Sequence, residues 1–528
     1  MTKNNEPKSG EKMNRPENRN RRTLIKALAG VPLLGLFAYE ASKNRSYARE
    51  KQNRVLRELG LENFQAPKTQ PGLQVKGGNR IRIGFIGFGT RAIQLASGMG
   101  FISLEEKELR QTKGRLDSWM MQENLQVEIA GICDVFDPNA KIGMDIAQNG
   151  LRVNGKPGTD YPVKRYRSYR EMLDDPEIDA VVVATPDHHH ARITTDSVKA
   201  GKHVYCEKSI ALNEDELNEV YQAVKSSGRV FQLGHQITQN VIFQQAKEII
   251  RKNILGKISL IETTSNRNSV NGAWIRHLDA DGNPKPGDLN IIDWDQWLGS
   301  SPKVPFSIDR FYNWTKFFDY DTGMLGQLFT HEYDAINQLL RIGIPKSAVS
   351  SGGIYYWKDN REIPDVLHCV FEYPERELSL LFSATLSSSR PRGRVIMGND
   401  GSMNLGESLE VTADYDSPQF KKQIEAGIIG TSGPMLTVMP GSGEIDAVTS
   451  ATEKYYASRG LTDTFINGHP VDVTHLHIKE WINCIRNGGT PSDDIEKAYE
   501  EGITVLMAHK SYIEKRRVEW DPVLKKII

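Results

Sequence analysis

Cysteine is scarce in this chain of 528 residues: Cys133, Cys206, Cys369 and Cys484 are all it has. Each lies inside an apolar run and no two form a C-x-x-C pair, which argues against a disulfide frame or a cysteine-bound zinc. A surplus of one charge is missing as well. Sixty-seven basic residues stand against 67 acidic ones, so no field is built to attract nucleic acid. Membrane-spanning length is lacking too, because the apolar run 27–39 is too short for a comfortable crossing. Nor do the histidines read as metal ligands. His188, His189 and His190 are consecutive, and His475 and His477 are two apart in a helical stretch, so neither set converges on one ion. What remains describes a soluble globular chain, 38% hydrophobic and long enough for two sizeable domains with extensions.

The first 26 residues carry eight Lys/Arg against three Glu. They end in Arg21-Arg22-Thr23-Leu24-Ile25-Lys26, with the apolar run directly behind. A basic start, paired arginines and a short apolar segment together read as a signal for the twin-arginine export machinery. The expected location is the periplasm or cell envelope. No clear A-x-A site follows Phe37, so an uncleaved signal serving as an anchor is one outcome. The alternative is a basic tail beside an amphipathic helix. Residues 40–78 are polar and end in Gly77-Gly78, which reads as a spacer. The first 78 residues therefore stand outside the expected fold.

Ile81, Ile83, Phe85 and Ile86 read as a buried strand, followed by Gly87-Phe88-Gly89-Thr90-Arg91-Ala92. This is the G-x-G-x-x-A form of the dinucleotide fingerprint. Gly87 makes the turn, Gly89 lets backbone approach a pyrophosphate, and Ala92 lets the next helix pack closely. That helix offers free N–H groups to the anion. Alone, the motif is also compatible with an ordinary glycine-rich loop. Residues 126–134 read as a second strand ending in Asp134, where a carboxylate can accept hydrogen bonds from an adenosine ribose. An acid there favours NAD over NADP, whose 2′-phosphate it would repel. Otherwise Asp134 is a strand-end cap. Its distance from Gly89 exceeds the usual ~20 residues and implies an insertion. Ala180–Ala184 reads as a central parallel strand with Thr185, Pro186 and His190 behind it. His203–Cys206 is another, with Glu207 and Lys208 at its tip, and a third ends at Gly234. All of these fall on the carboxyl edge of one sheet, where such sheets bind ligands.

Those residues, with Gly234-His235-Gln236, Asp293–Gly299, Asp319–Gly326 and His331–Asp334, together resemble the Gfo/Idh/MocA oxidoreductase family over about residues 80–522. The resemblance implies an α/β fold. A doubly wound parallel Rossmann sheet would span 79–236. A substrate domain with a large open mixed sheet would span 237–528, and in the family that sheet often forms the face for dimers or tetramers. It implies NAD as cofactor, held by Gly87, Gly89, Thr90, Arg91, Asp134, Thr185, Pro186, His190, Glu207, Lys208 and Gln236. Lys208 and His331 would be the catalytic residues. Two departures stand out. Ser209 replaces the proline of the family's Glu-Lys-Pro, and Gln327 stands four residues before His331, where family dehydrogenases carry an aspartate. Glutamine cannot take a proton, so the relay rests on Lys208 and His331 with Tyr or Asp side chains nearby.

Residues 265–330 are rich in Trp, Tyr, Phe, Arg and Asp. Aromatic faces beside donors suit a sugar, which is apolar on one face and hydroxylated at its rim. Trp294 and Trp297 read as core packing. Arg310 and Trp314, with Gln327 and His331, are the candidate substrate contacts, although Arg310 and Trp314 read equally as packing. The resulting expectation is a nicotinamide-dependent oxidoreductase acting on a sugar or glycoside hydroxyl, with Lys208 moving the hydroxyl proton. The alternatives are an NAD-dependent glycoside hydrolase working by oxidation and elimination, and a non-catalytic sugar-binding protein on the same fold.

Overall fold

The computed structural model of the chain describes residues 80–528 apart from 156–161, 280–282, 407, 439–462 and 467–468, together with Arg54, Arg57 and Leu59. The twin-arginine segment lies outside the described residues. Two units divide the chain, residues 1–64 with 426–428 and residues 65–425 with 429–528. Every element named here belongs to the second.

Six strands make the first sheet: β1 Ile81–Ile86, β2 Val127–Cys133, β3 Lys164–Tyr166, β4 Ala180–Val183, β5 His203–Cys206 and β6 Phe231–Leu233. All pair in parallel, in the order β3-β2-β1-β4-β5-β6. Strand order reverses between β1 and β4, and in such sheets the ligand crevice opens there, at the carboxyl ends. β4 reads Ala-Val-Val-Val and is buried throughout, because a central parallel strand has both faces covered. Helix α1, Thr90–Met99, follows β1; α2, His190–Lys199, follows β4; α3, Glu214–Ser227, follows β5. Asn213 Oδ1 caps α3 by accepting from the Glu216 N–H at 2.9 Å. Two extra helices, Leu104–Thr112 and Leu116–Met120, account for the long spacing between Gly89 and Asp134.

Helix α4, Val241–Arg251, leads into a second, ten-stranded sheet. Its members are β7 Ile258–Asn266, β8 Ser347–Gly353, β9 Val366–Tyr373, β10 Leu378–Thr385, β11 Arg394–Gly398, β12 Gly401–Leu405, β13 Leu409–Ala413 and β14 Leu436–Val438. The hairpin β15 Asp463–Ile466 and β16 His469–Asp472 is separate, and β17 Val518–Asp521 and β18 Lys526–Ile527 complete the sheet. β10 runs parallel to β7 and antiparallel to β9, so the sheet is mixed. β9 alternates buried and open residues, with one face on the core. The α/β fold with a Rossmann sheet and a large mixed sheet is the one expected.

Helix α5, Thr330–Leu340, packs against α4 and against α7, Ile495–Glu514. Helix α6, Val473–Asn487, lies late in the sequence but closes the core of the first sheet. Its Ile478, Trp481 and Ile482 are buried with Ile83, Phe85, Leu95 and Tyr205. The Rossmann core is thus completed by a segment from the far end of the chain.

Candidate active site

β1 runs into Gly87, whose φ of +82° lies in the left-handed region. A Cβ there would meet Ala184 O at 2.8 Å and Thr185 N at 2.9 Å, so the tight passage between β1 and β4 needs glycine. Gly89 has the opposite surroundings: a Cβ there would meet nothing within 4 Å. No side chain caps α1, and its first turn carries no acidic residue. Free helix N–H groups beside open space form an anion cradle that fits a pyrophosphate. Asp134, just past β2, accepts from the Phe88 N–H at 2.6 Å and the Phe136 N–H at 2.8 Å. Burial pushes its carboxyl up to about 6 against the pull of those bonds. Asp134 therefore braces the glycine turn and still has lone pairs to accept from a ribose.

Arg91 ties the rest of this edge together. Its Nε donates to Glu207 Oε1 at 2.7 Å and its second terminal nitrogen to Gln236 Oε1 at 2.8 Å. Thr90 beside it is exposed. His190, expected at the cofactor, spends both ring nitrogens on the protein instead. They face Ser209 O at 2.7 Å and Thr185 O at 2.8 Å, so the ring stitches the Thr185-Pro186 loop to the tip of β5.

Lys208 stands at that tip. Its Nζ donates to Gly326 O at 3.2 Å and Gln327 Oε1 at 3.1 Å. The Lys208–Ser209 peptide is cis. Both acceptors belong to Leu325–Phe329, a wide π-turn that runs into α5. Such turns recur at functional sites. The amide of Gln327 then donates to Asp187 Oδ2 at 3.0 Å and Asp321 Oδ1 at 3.2 Å. Both carboxyls are buried. Burial raises each above the ordinary carboxylate range; for Asp321 the charge of Asp187 adds to it, and Lys208 opposes both. Where the residue before the histidine cannot take a proton, two groups that can stand one hydrogen bond away.

His331 lies in the first turn of α5 and is buried. Its Nδ1 is 3.3 Å from His235 Nδ1, and His235 Nε2 is 2.7 Å from Glu501 Oε2. Burial disfavours charge on His235, but Glu501 and Asp334 outweigh it and hold the ring protonated up to about 9. A doubly protonated His235 carries a hydrogen on Nδ1, so His331 Nδ1 must accept and its Nε2 keeps the hydrogen. Burial, then Lys208 and His235, push His331 well below its ordinary value. It is a neutral hydrogen-bond donor.

Arg310 does not join this group. It donates to Asp319 Oδ2 at 2.8 Å and Tyr320 Oη at 3.1 Å, and its guanidinium lies 4.5 Å from the Phe317 ring centroid. Those bonds make it a brace of the aromatic cluster. Trp314 lies 5.9 Å from the guanidinium of Arg276. Trp294 and Trp297 stack at 4.6 Å inside the buried aromatic cluster, the packing role expected of them. His188 and His189 both turn Nε2 toward Trp297 O, at 2.8 and 2.7 Å. The sequence reading singled out neither Asp187 nor Asp321, nor Glu501 behind His235. A signal was present: once Gln327 is known to be inert, a carboxylate is wanted nearby, and Asp187 and Asp321 sit inside motifs already marked.

Residues 98–235 match the model of an oxidoreductase family with an NAD-binding Rossmann fold, Gfo/Idh/MocA. Levoglucosan dehydrogenase of Pseudarthrobacter phenanthrenivorans is 28% identical over 195 residues, 35% of this chain and 41% of that enzyme. An inositol 2-dehydrogenase/D-chiro-inositol 3-dehydrogenase of Lactiplantibacillus plantarum is 24% identical over 173 residues, 33% of this chain and 45% of the other. The chain thus spans under half the length of these curated relatives. In structure, levoglucosan dehydrogenase in complex with NADH superposes with a TM-score of 0.54 at 17% identity, over 84% of this chain and 99% of the other. That likeness is one of fold, and it extends through both sheets.

Proposed function

We propose that the chain is an NAD-dependent oxidoreductase acting on a sugar or glycoside hydroxyl. Lys208 is the acid–base group and His331 the donor that orients the hydroxyl. NAD, when bound, supplies the hydride acceptor. The carrying observation is the convergence on one sheet edge: the open glycine cradle at β1, Asp134 at β2, and Lys208 at β5 held by the π-turn ahead of His331. Two N–H bonds from Nζ to Gly326 and Gln327 fix the amine and leave its third position for a substrate hydroxyl. Support comes from relatives named as dehydrogenases of levoglucosan and of inositols. Denaturing the purified protein should release a nicotinamide dinucleotide, and a panel of sugars should reduce it in a single turnover. Neither bound nor added NAD being retained would sink the reading.

NAD-assisted cleavage of a glycoside is the second reading. The buried carboxyls Asp187 and Asp321 favour it, since cleavage needs an acid for the leaving oxygen. It predicts a free sugar and no net reduction of cofactor. Export through the twin-arginine route completes the proposal, on the strength of Arg21-Arg22 and the apolar run behind them. Arg21→Lys with Arg22→Lys should trap the protein in the cytoplasm; unchanged envelope localisation would overturn this.

A further inference from the structure

We infer that Asp187 and Asp321 form a carboxyl pair that carries one proton and one charge, and that it serves as the counter-charge behind Lys208. The pair's place in turnover rests on the oxidoreductase reading; the pair itself does not. Gln327 Nε2 has two hydrogens, and they are aimed at Asp187 Oδ2, 3.0 Å away, and Asp321 Oδ1, 3.2 Å away. Two carboxyl groups therefore flank a single nitrogen. The other end of the same carboxamide accepts from Lys208 Nζ at 3.1 Å, so the amide is fixed from both sides. Asp187 is 2% exposed and Asp321 0%. Like charges this close and out of water do not both stay ionised, and one of the two keeps a proton.

The surroundings fit a proton-holding role. Asp321 Oδ2 is buried and has no hydrogen-bond partner among the described residues, so one of its oxygens is open to take a proton. Gly326 makes the room: a Cβ there would meet Thr322 Oγ1 at 2.6 Å and Asp321 Oδ1 at 3.1 Å. Lys208 and His190 face Asp187, and the Ser209 N–H reaches it at 3.4 Å. Lys208 and Arg276 face Asp321. The charge that a carboxylate at position 327 would bring to Lys208 is thus supplied from the next layer out, with Gln327 as the fixed spacer.

NAD, when bound, would supply the acceptor for the hydrogen and both electrons of the substrate C–H bond. The O–H bond breaks, and its proton passes to the amine of Lys208. Lys208 then yields that proton to solvent, while the ionised member of the pair offsets the charge of the protonated amine from behind Gln327. No further oxidant or co-reactant enters.

Infrared titration of the whole protein reads protonated carboxyls directly, without turnover. A protonated-carboxyl band should persist above about pH 7, where isolated carboxyls are ionised, and should be lost in both Asp187→Asn and Asp321→Asn. The band from Asp334, also raised by burial, should survive in both variants. In single-turnover reduction of bound NAD, each variant should lose one ionisation from the pH profile and at least about tenfold in rate, the lower range for a positioned acid–base group. NAD binding should change less than about twofold. Absence of the band in the wild type, or its survival in both variants, overturns the pair. If the band behaves as expected and no sugar reduces NAD, the pair stands and the oxidoreductase reading fails.

Discussion

The two halves of the candidate site are held in different ways. On the cofactor side, the parts come in sequence order from one strand, one turn and one helix. Gly87, Gly89 and α1 are adjacent, and Asp134 reaches across to the Phe88 N–H. Its conformation is imposed mostly by backbone sterics. On the proton side, Asp187, Lys208, Asp321 and Gln327 come from three separated segments and meet through side chains. Behind them His235 and Glu501 form a buried ion pair. A site of the first kind depends mostly on shape. One of the second kind depends on charge, because each buried group is stable only while its partner keeps the right proton.

Lys208→Met should separate the halves most sharply. The apolar stem remains and the amine is lost, so NAD should bind as in the wild type. Single-turnover reduction of bound NAD should fall roughly 10²–10⁴-fold, the usual worth of a positioned acid–base group. Wild-type rates would exclude Lys208 as the base; lost NAD binding would mean that the halves are not separable.

Alkaline pH should loosen the proton half first. His235 is held protonated up to about 9 in the fold, whereas a free histidine loses its proton near 6.5. The folded chain therefore binds more protons than the unfolded chain between those values. The stabilisation is complete below about pH 6.5 and is lost as pH rises through 9, a change on the order of 3 kcal/mol or slightly more. Urea unfolding against pH should show this slope, and Glu501→Gln should flatten it. Amide exchange should rise in α5 and α7 before it rises in β1 and α1. Equal exchange in both regions would remove the contrast.

Asp134→Ala is the reciprocal experiment. NAD binding should weaken by about 1–3 kcal/mol, the range for lost hydrogen bonds to a charged group, and NADP binding should weaken less. Because burial lifts this carboxyl to about 6, wild-type NAD affinity should also fall as pH drops through that value, while the variant stays flat. The rate of the bound complex should be unchanged. A wild type that prefers NADP would take Asp134 away from the ribose.

Legibility in the sequence follows the same divide. The glycine turn, the buried strands and the strand tips are local patterns, so Gly87, Gly89 and Lys208 could be read directly. Asp134 was legible as an acceptor, and its second duty toward Phe88 was not, because that bond spans 46 positions. The bonds of His190 were not legible, because nothing local says that both its nitrogens face carbonyls. Arg310 was drawn toward the substrate by its aromatic neighbours, yet Asp319 nine residues on had already claimed it. Asp187 and Asp321 were invisible as a pair because 134 residues separate them and only Gln327 brings them together.

His331→Ala carries the smallest expected effect and tests the join between the halves. A neutral imidazole with Nε2–H gives one hydrogen bond, worth about 0.5–1.5 kcal/mol, so kcat/KM should drop about 2- to 10-fold, mostly through KM. The donor exists because charged His235 fixes the tautomer of His331. Above about pH 9 His235 loses its proton, the hydrogen on His331 is free to move to Nδ1, and the wild-type KM should rise toward that of the variant. The variant's own KM should not change across that range. A parallel rise in both would place the pH effect elsewhere, and a variant with wild-type KM at neutral pH would take His331 off the substrate altogether.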